Sequence, residues 1–346
     1  MFSREQYRAL GDQAGVTPLD GRGRLLLTGA DRRTYLQGLL TNDIVALGAG
    51  TGCYAAFLTA QGRMITDMRV LELGDVLLID LPRSMSGTVR DRLAQFVFSE
   101  DVEIEDVSER WAGLGVYGPA ASAVIVRAIE RASPAPARMP NPRVLDALVP
   151  FGSTKLDFGG AVVVAARNDD YGVPGFDLYA EQTVAQTLAA ALDDAGATAA
   201  AADTLDVLRI EAGVPAFGMD MDEDTIPLEA GIEDRAISLT KGCYVGQEII
   251  IRVLHRGHGR VARRLVGLLM EPGAPTPRRG DRISRDGREI GLVTSAALSP
   301  LLGRAVALGY VHRDFAEAGT SISIAHGNGA VEAVVAALPF IRRGSG

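Results

Sequence analysis

Cysteine is scarce in this chain of 346 residues, occurring only at Cys53 and Cys243. Two thiols exclude a disulfide framework, and they are too few for an all-cysteine zinc or iron–sulfur site within one chain. Tryptophan occurs once and aromatic residues total 5%. Lysine occurs only at Lys155 and Lys241, so every other basic residue but histidine is arginine. Apolar stretches such as Ala161 to Ala166 fall far short of the roughly 20 residues a bilayer span needs. Arg4, Glu5 and Arg8 interrupt the start, so no basic segment leads into an apolar signal core, and a cytoplasmic chain is expected. Lys and Arg number 35 against 43 Asp and Glu, and the resulting charge of −8 argues against nucleic acid as a partner. What is present is the balance of a globular protein, 47% apolar and 23% charged, with length for two or three domains.

The patterning predicts a mixed α+β fold. Asp31 is placed to cap a short helix carrying Tyr35, Leu36, Leu39 and Leu40 on one side and stopping near Thr41-Asn42. A helix from about Ser86 to Phe96 would turn Val89, Leu93 and Phe96 inward. Gly52 to Leu58 and Arg63 to Leu71 read as strands around an Ala60-Gln61-Gly62 turn, and Val76 to Leu81 and Val102 to Val107 add two more. Pro134, Pro136, Pro140 and Pro142 exclude regular structure from about Arg131 to Pro142. Ala161 to Ala166 reads as a strand, and Glu181 to Asp194 as an alanine-rich helix closed by Gly196. Asp203 is expected to cap a helix with Leu205, Leu208 and Ile210 that ends at Gly213-Val214-Pro215. From about Leu265 short β-rich runs alternate with Gly, Pro and Asp286-Gly287 turns, the pattern of a small antiparallel barrel. The expected division is therefore an α+β region over 1–255 and a barrel over 260–346, joined near Gly257 to Gly259.

Three places carry candidate chemistry. In Lys241-Gly242-Cys243-Tyr244-Val245-Gly246-Gln247-Glu248 a thiol sits between glycines, ahead of a helix expected near Val245. The helix N-terminus and Lys241 would both favour a thiolate, as a reactive cysteine requires; the alternative is a small buried hydrophobe in a structural turn. Arg209 and Glu211 lie two apart on a helix and so point to different faces. Glu211 opposes the dipole at that helix end, which fits either a bidentate acceptor for an amino-heterocycle or a solvated surface glutamate. Asp67 lies in an apolar strand, where it would bind a ligand or pair with an arginine such as Arg69. His255 and His258 stand too far from Cys243 for a finger, so no metal site is expected. No Walker loop, nucleophile elbow or dinucleotide fingerprint is present, and Gly115-Val116-Tyr117-Gly118 does not count as one.

These residues bring out a resemblance that spans about residues 15–340. The Lys241 to Glu248 segment with Arg252 resembles the signature of the folate-binding YgfZ family, a branch of the aminomethyltransferase (glycine-cleavage T protein) superfamily. Tyr35-Leu36-Gln37-Gly38 with Thr41-Asn42-Asp43, Tyr54 to Leu58 with Gln61-Gly62-Arg63, Leu208 to Pro215, and Gly291 to Ser295 match in the same order. The resemblance implies a ring-like pair of α+β lobes plus the barrel, with tetrahydrofolate in the central opening. It implies that Glu211 holds the pterin, that Arg252 faces the glutamate carboxylates, and that Asn42, Tyr54 and Asp67 line the opening, with Gln247 also counted to the folate site. Members of the branch are linked to iron–sulfur cluster assembly or repair, so iron–sulfur enzymes or assembly proteins are the implied partners of a monomer. True aminomethyltransferases look to carry two adjacent aspartates where this chain has Thr66-Asp67, and they lack the cysteine. The expected function is thus a tetrahydrofolate-binding accessory protein with Cys243, aided by Lys241, as its reactive residue. The alternative is a one-carbon transferase that uses Asp67 as its catalytic carboxylate.

Overall fold

The computed structural model describes residues 2–132, 142–255, 260–327 and 329–343. Most of the proline-rich segment and the Gly257 to Gly259 junction, with His258, lie outside them; Pro142 opens a short helix, Pro142–Asp146.

Two sheets and a barrel organise the chain. The first sheet has five antiparallel strands in the order Thr51–Leu58, Met64–Glu72, Leu77–Pro82, Arg22–Thr28 and Glu103–Asp106. The second has six, in the order Thr198–Ala199, Gly15–Pro18, Trp111–Tyr117, Gly175–Glu181, Ala161–Arg167 and Ser153–Phe158. Gly15–Pro18 joins the second sheet before Arg22–Thr28 joins the first, so the chain crosses between sheets early.

Strand alternation explains the layering. Cys53, Ala55 and Phe57, with Met68 and Val70, pack under Leu36, Val89 and Leu93 of the first sheet's own helices. Val163, Ala165, Phe176 and Leu178 do the same beneath helices Ala121–Ala132 and Gln182–Asp194. The opposite faces meet, with Leu71, Leu73 and Leu78 against Val164, Ala166 and Tyr179. From Arg263 onward six antiparallel strands close into a barrel, Arg263–Met270 pairing with both Arg304–His312 and Gly329–Ala336. The expected α+β arrangement with a C-terminal barrel is present. Asp286 and Gly287 both take positive φ, 51° and 76°, as a tight two-residue hairpin requires.

Several local expectations need correction. Asp31 stands at the N-cap position, but its carboxylate accepts from the Asp101 N–H instead, and the helix is only Arg32–Gln37. Phe96 is exposed, because the helix stops at Ala94 and the next turn leaves the core. Asp203 lies inside the first turn of Ala202–Glu211, with Ala201 at the cap. Trp111–Tyr117 reads poorly as a strand because its glycines serve neighbours: a Cβ at Gly115 would fall 2.3 Å from the Tyr117 ring. The second glycine of the rejected dinucleotide pattern, Gly118, takes a φ of 127° where the strand ends.

Candidate functional site

The register Tyr54↔Arg69 and Ala56↔Asp67 puts Tyr54, Asp67 and Arg69 on the inner face of the first sheet. There they line a cavity of about 180 Å³ with Asp170 and Tyr171, Arg209, Val214 to Phe217, and Arg235. Arg209 lies in the last turn of the helix Ala202–Glu211, and Asp170 and Tyr171 come from the loop after Ala161–Arg167, so both sheets and the approach to the barrel contribute.

Tyr54 Oη donates to Asp67 Oδ2 at 2.7 Å. Asp67 Oδ1 is buried and has no partner. Burial, then the Asp67 charge, push the Tyr54 hydroxyl well above its ordinary pKa, which keeps its proton available for donation. The Arg235 guanidinium lies 4.1 Å from the Tyr54 ring centroid, and Phe151 stacks on the same ring. Arg235 also pairs with Asp170 at 3.0 Å, and Asp170 with Arg69 at 2.7 Å. Burial alone would raise the Asp170 pKa, but the Arg235 and Arg69 charges hold it far below the usual carboxylate range. The structure corrects one pairing: Arg69 does not serve Asp67 but binds Asp170 and, at 2.5 Å, Asp177. Asp177 is held further by Tyr117 and Asn168. With its cations committed elsewhere, Asp67 keeps a bare carboxylate oxygen, a costly arrangement unless something binds there.

Two family models match the chain, the GCVT N-terminal domain over residues 2–241 and the glycine cleavage T-protein C-terminal barrel domain over residues 263–341. The chain belongs to the glycine-cleavage T-protein family. An aminomethyltransferase of Rubrobacter xylanophilus is 32% identical over 345 residues, covering 98% of this chain and 86% of the relative. Another, from Halothermothrix orenii, is 30% identical, covering 97% of this chain and 91% of the relative. The crystal structure of glycine cleavage system aminomethyltransferase T from Bartonella henselae shares the fold at a TM-score of 0.85 and 21% identity, over 98% of this chain and 89% of that one.

In this T-protein family member the other expected site residues stand outside the cavity lining. Asn42 Nδ2 donates to the carbonyls of Tyr54 and Arg235 at 2.8 and 3.0 Å, so it ties the two cavity residues together from behind. Glu211 is not a solvated surface glutamate. It is 1% exposed, and its carboxylate accepts from Tyr7 Oη at 2.7 Å, Ser299 Oγ at 2.5 Å and Arg343 Nη2 at 2.8 Å. Arg209, which lines the cavity, points away from Glu211 and binds Asp206, Asp220 and Ser295.

Cys243 is exposed, which overturns its reading as a buried hydrophobe. Lys241 does not accompany it. Its Nζ is buried and donates to the carbonyls of Gln37, Leu40 and Asn42 at 2.6, 2.6 and 2.9 Å. Burial pushes this ammonium down to about 8. The helix begins at Gln247, not near Val245, so the thiol stands a turn away from its N-terminus. Of the flanking glycines only Gly246 is needed for close approach: its φ is 85°, and a Cβ would come within 2.5 Å of the Thr59 carbonyl. Gln247 is half-buried and Arg252 exposed. Among the described residues no helix is long and apolar enough to cross a membrane, and no three His, Cys, Asp or Glu side chains group as metal ligands.

The sequence gives no sign of Arg235 or Asp170: Asp169-Asp170-Tyr171 is a polar run, but nothing local links it to an arginine 65 positions on.

Proposed function

We propose that this chain binds tetrahydrofolate, with the pterin end entering the Asp67 cavity. The observation that carries the reading is the unpartnered buried oxygen of Asp67 beside the Tyr54 hydroxyl. The amino and ring N–H donors of a pterin suit such a carboxylate in charge-assisted hydrogen bonds. The cavity is smaller than the roughly 300–1,000 Å³ of a whole drug-sized ligand, which fits a bicyclic head with the remainder reaching outward. Glu211, the other carboxylate implied for the pterin, would have to exchange Arg343 or Tyr7 for the ligand. Calorimetric melting with tetrahydrofolate tests this: a ligand selective for the native state raises Tm, and Asp67→Asn should abolish the rise. No rise in the wild type would refute folate binding.

The exposed thiol favours an accessory use of the folate scaffold, in which Cys243 meets an iron–sulfur protein outside the cavity. Two cysteines cannot hold a four-thiolate cluster alone, so any cluster contact would be shared with that partner. Cys243→Ala should then fail to restore iron–sulfur enzyme activity in a deletion strain while keeping the tetrahydrofolate-dependent rise in Tm. Full rescue defeats this use.

The second reading is aminomethyl transfer to folate, favoured by the Tyr54–Asp67 pair and by the names of the relatives. Asp67 would steady the positive charge that develops on the folate nitrogen as it takes the one-carbon unit and ammonia leaves. Folate-dependent ammonia release that survives Cys243→Ala and is lost in Asp67→Asn would select it.

A further inference from the structure

Away from the Asp67 cavity, a larger cleft of about 690 Å³ lies where one end of the first sheet, near Arg24, Arg83 and Ser108, meets Trp111–Tyr117 and the helix Gln182–Asp194. Its floor holds Arg24, which is 3% exposed. Two of its nitrogens are used: Nη1 donates to the Trp111 carbonyl and Nη2 to the Leu19 carbonyl, both at 3.1 Å. Its Nε–H is buried with no partner. No carboxylate pairs with this guanidinium among the described residues, and the Tyr179 ring, 5.9 Å away, is its remaining support. Gly113 makes room for it: a Cβ there would stand 2.5 Å from Arg24 Nη2. A guanidinium is charged at any physiological pH, and burying one without an anion is costly. Nothing in the Asp67 chemistry uses it.

We propose that this cleft is a second ligand site, for a small carboxylate with a flat apolar body. Arg24 would take the carboxylate on its free Nε–H. Trp111, Ala185 and Ala189 line the cleft and would cover the body, with the Gln182 and Gln186 amides at the mouth. The acids of the cleft set the charge limit. Glu109 is engaged by Arg83, and Asp20 is exposed at the rim, so polyanions are repelled and a monoanion is preferred.

Trp111 is the one tryptophan of the chain, so its fluorescence reports on this cleft alone. Benzoate is the probe, with inorganic phosphate for comparison. Benzoate should give a saturable change in emission, and phosphate a weaker affinity. Arg24→Gln, confirmed folded by its far-UV spectrum and melting, should weaken benzoate by about tenfold or more, the loss of one charge-assisted bond. Gln186→Glu adds a negative charge on an exposed helix position without touching the core, and should also weaken benzoate. The proposal falls if benzoate causes no saturable change, if phosphate binds as tightly, or if either folded variant binds benzoate as the wild type does.

Discussion

Asp170 sits between the Arg69 and Arg235 guanidiniums, and its behaviour with pH follows from that position. Its folded pKa lies below the unfolded value of about 3.9, so its stabilising share is complete above that pH and is lost as pH falls through the acid range. Asp170→Asn should therefore cost about 3–5 kcal/mol at pH 7, as expected for breaking a buried pair, and about 1 kcal/mol less at pH 3, where the unfolded carboxyl is mostly protonated but the folded one is still charged. Urea midpoints at the two pH values measure it; an equal loss at both would contradict the assignment. Asp67 is a different case, seen in the ligand-free fold. Its bare oxygen makes no native contact to lose, so Asp67→Asn should leave the ligand-free protein within about 1 kcal/mol of the wild type, or more stable, while removing folate binding. Residue chemistry of this sort was half legible in the sequence. A carboxylate in an apolar strand signals expense, but only the fold shows that Arg69 is spent on Asp170 and Asp177 rather than on Asp67.

At the level of elements, the segment around Cys243 is held by a lysine that works as a clasp. Its Nζ satisfies carbonyls at the end of helix Arg32–Gln37 and in the turn after it. Lys241→Met would orphan three acceptors and should lower stability by about 3 kcal/mol in urea unfolding. The rate of Cys243 alkylation by iodoacetamide should stay within about threefold, since the lysine is turned away from the thiol; a tenfold fall would restore Lys241 as its activator. Most of the barrel strands were legible because alternating burial and tight turns are written locally, as at Asp286-Gly287. Gly15–Pro18, Arg22–Thr28 and Arg282–Arg285 were not picked out, being short or interrupted by arginine and glycine. Arg24, unexpected inside a strand, is accommodated by the missing side chain of Gly113 on a neighbouring strand of the other sheet.

Across the whole molecule, two polar knots join the barrel to the lobes. Arg209 binds Asp220 and Ser295, and Thr294 Oγ1 donates to Asp220 Oδ1 at 2.5 Å. Asp220→Ala removes the shared acceptor from both, leaving Arg209 short of its buried counterion. A loss of about 3–5 kcal/mol is expected, with the barrel transition separating from that of the lobes in calorimetry. A single coincident transition at the wild-type Tm would show the knot to be dispensable. The second knot, at Glu211, shows why the sequence left that residue ambiguous. Its partners Tyr7, Ser299 and Arg343 are 204, 88 and 132 positions away, so no local pattern signals its burial.

That second knot also brings the two chain ends to one address. Tyr7 and Arg343 touch each other as well as the same carboxylate, so a peptide of a few residues would bridge them. A short linker that ties residue 343 to residue 2 should therefore leave this knot intact. Bulky tags on either end, in contrast, would pull on the latch that seats the opening helix against the barrel.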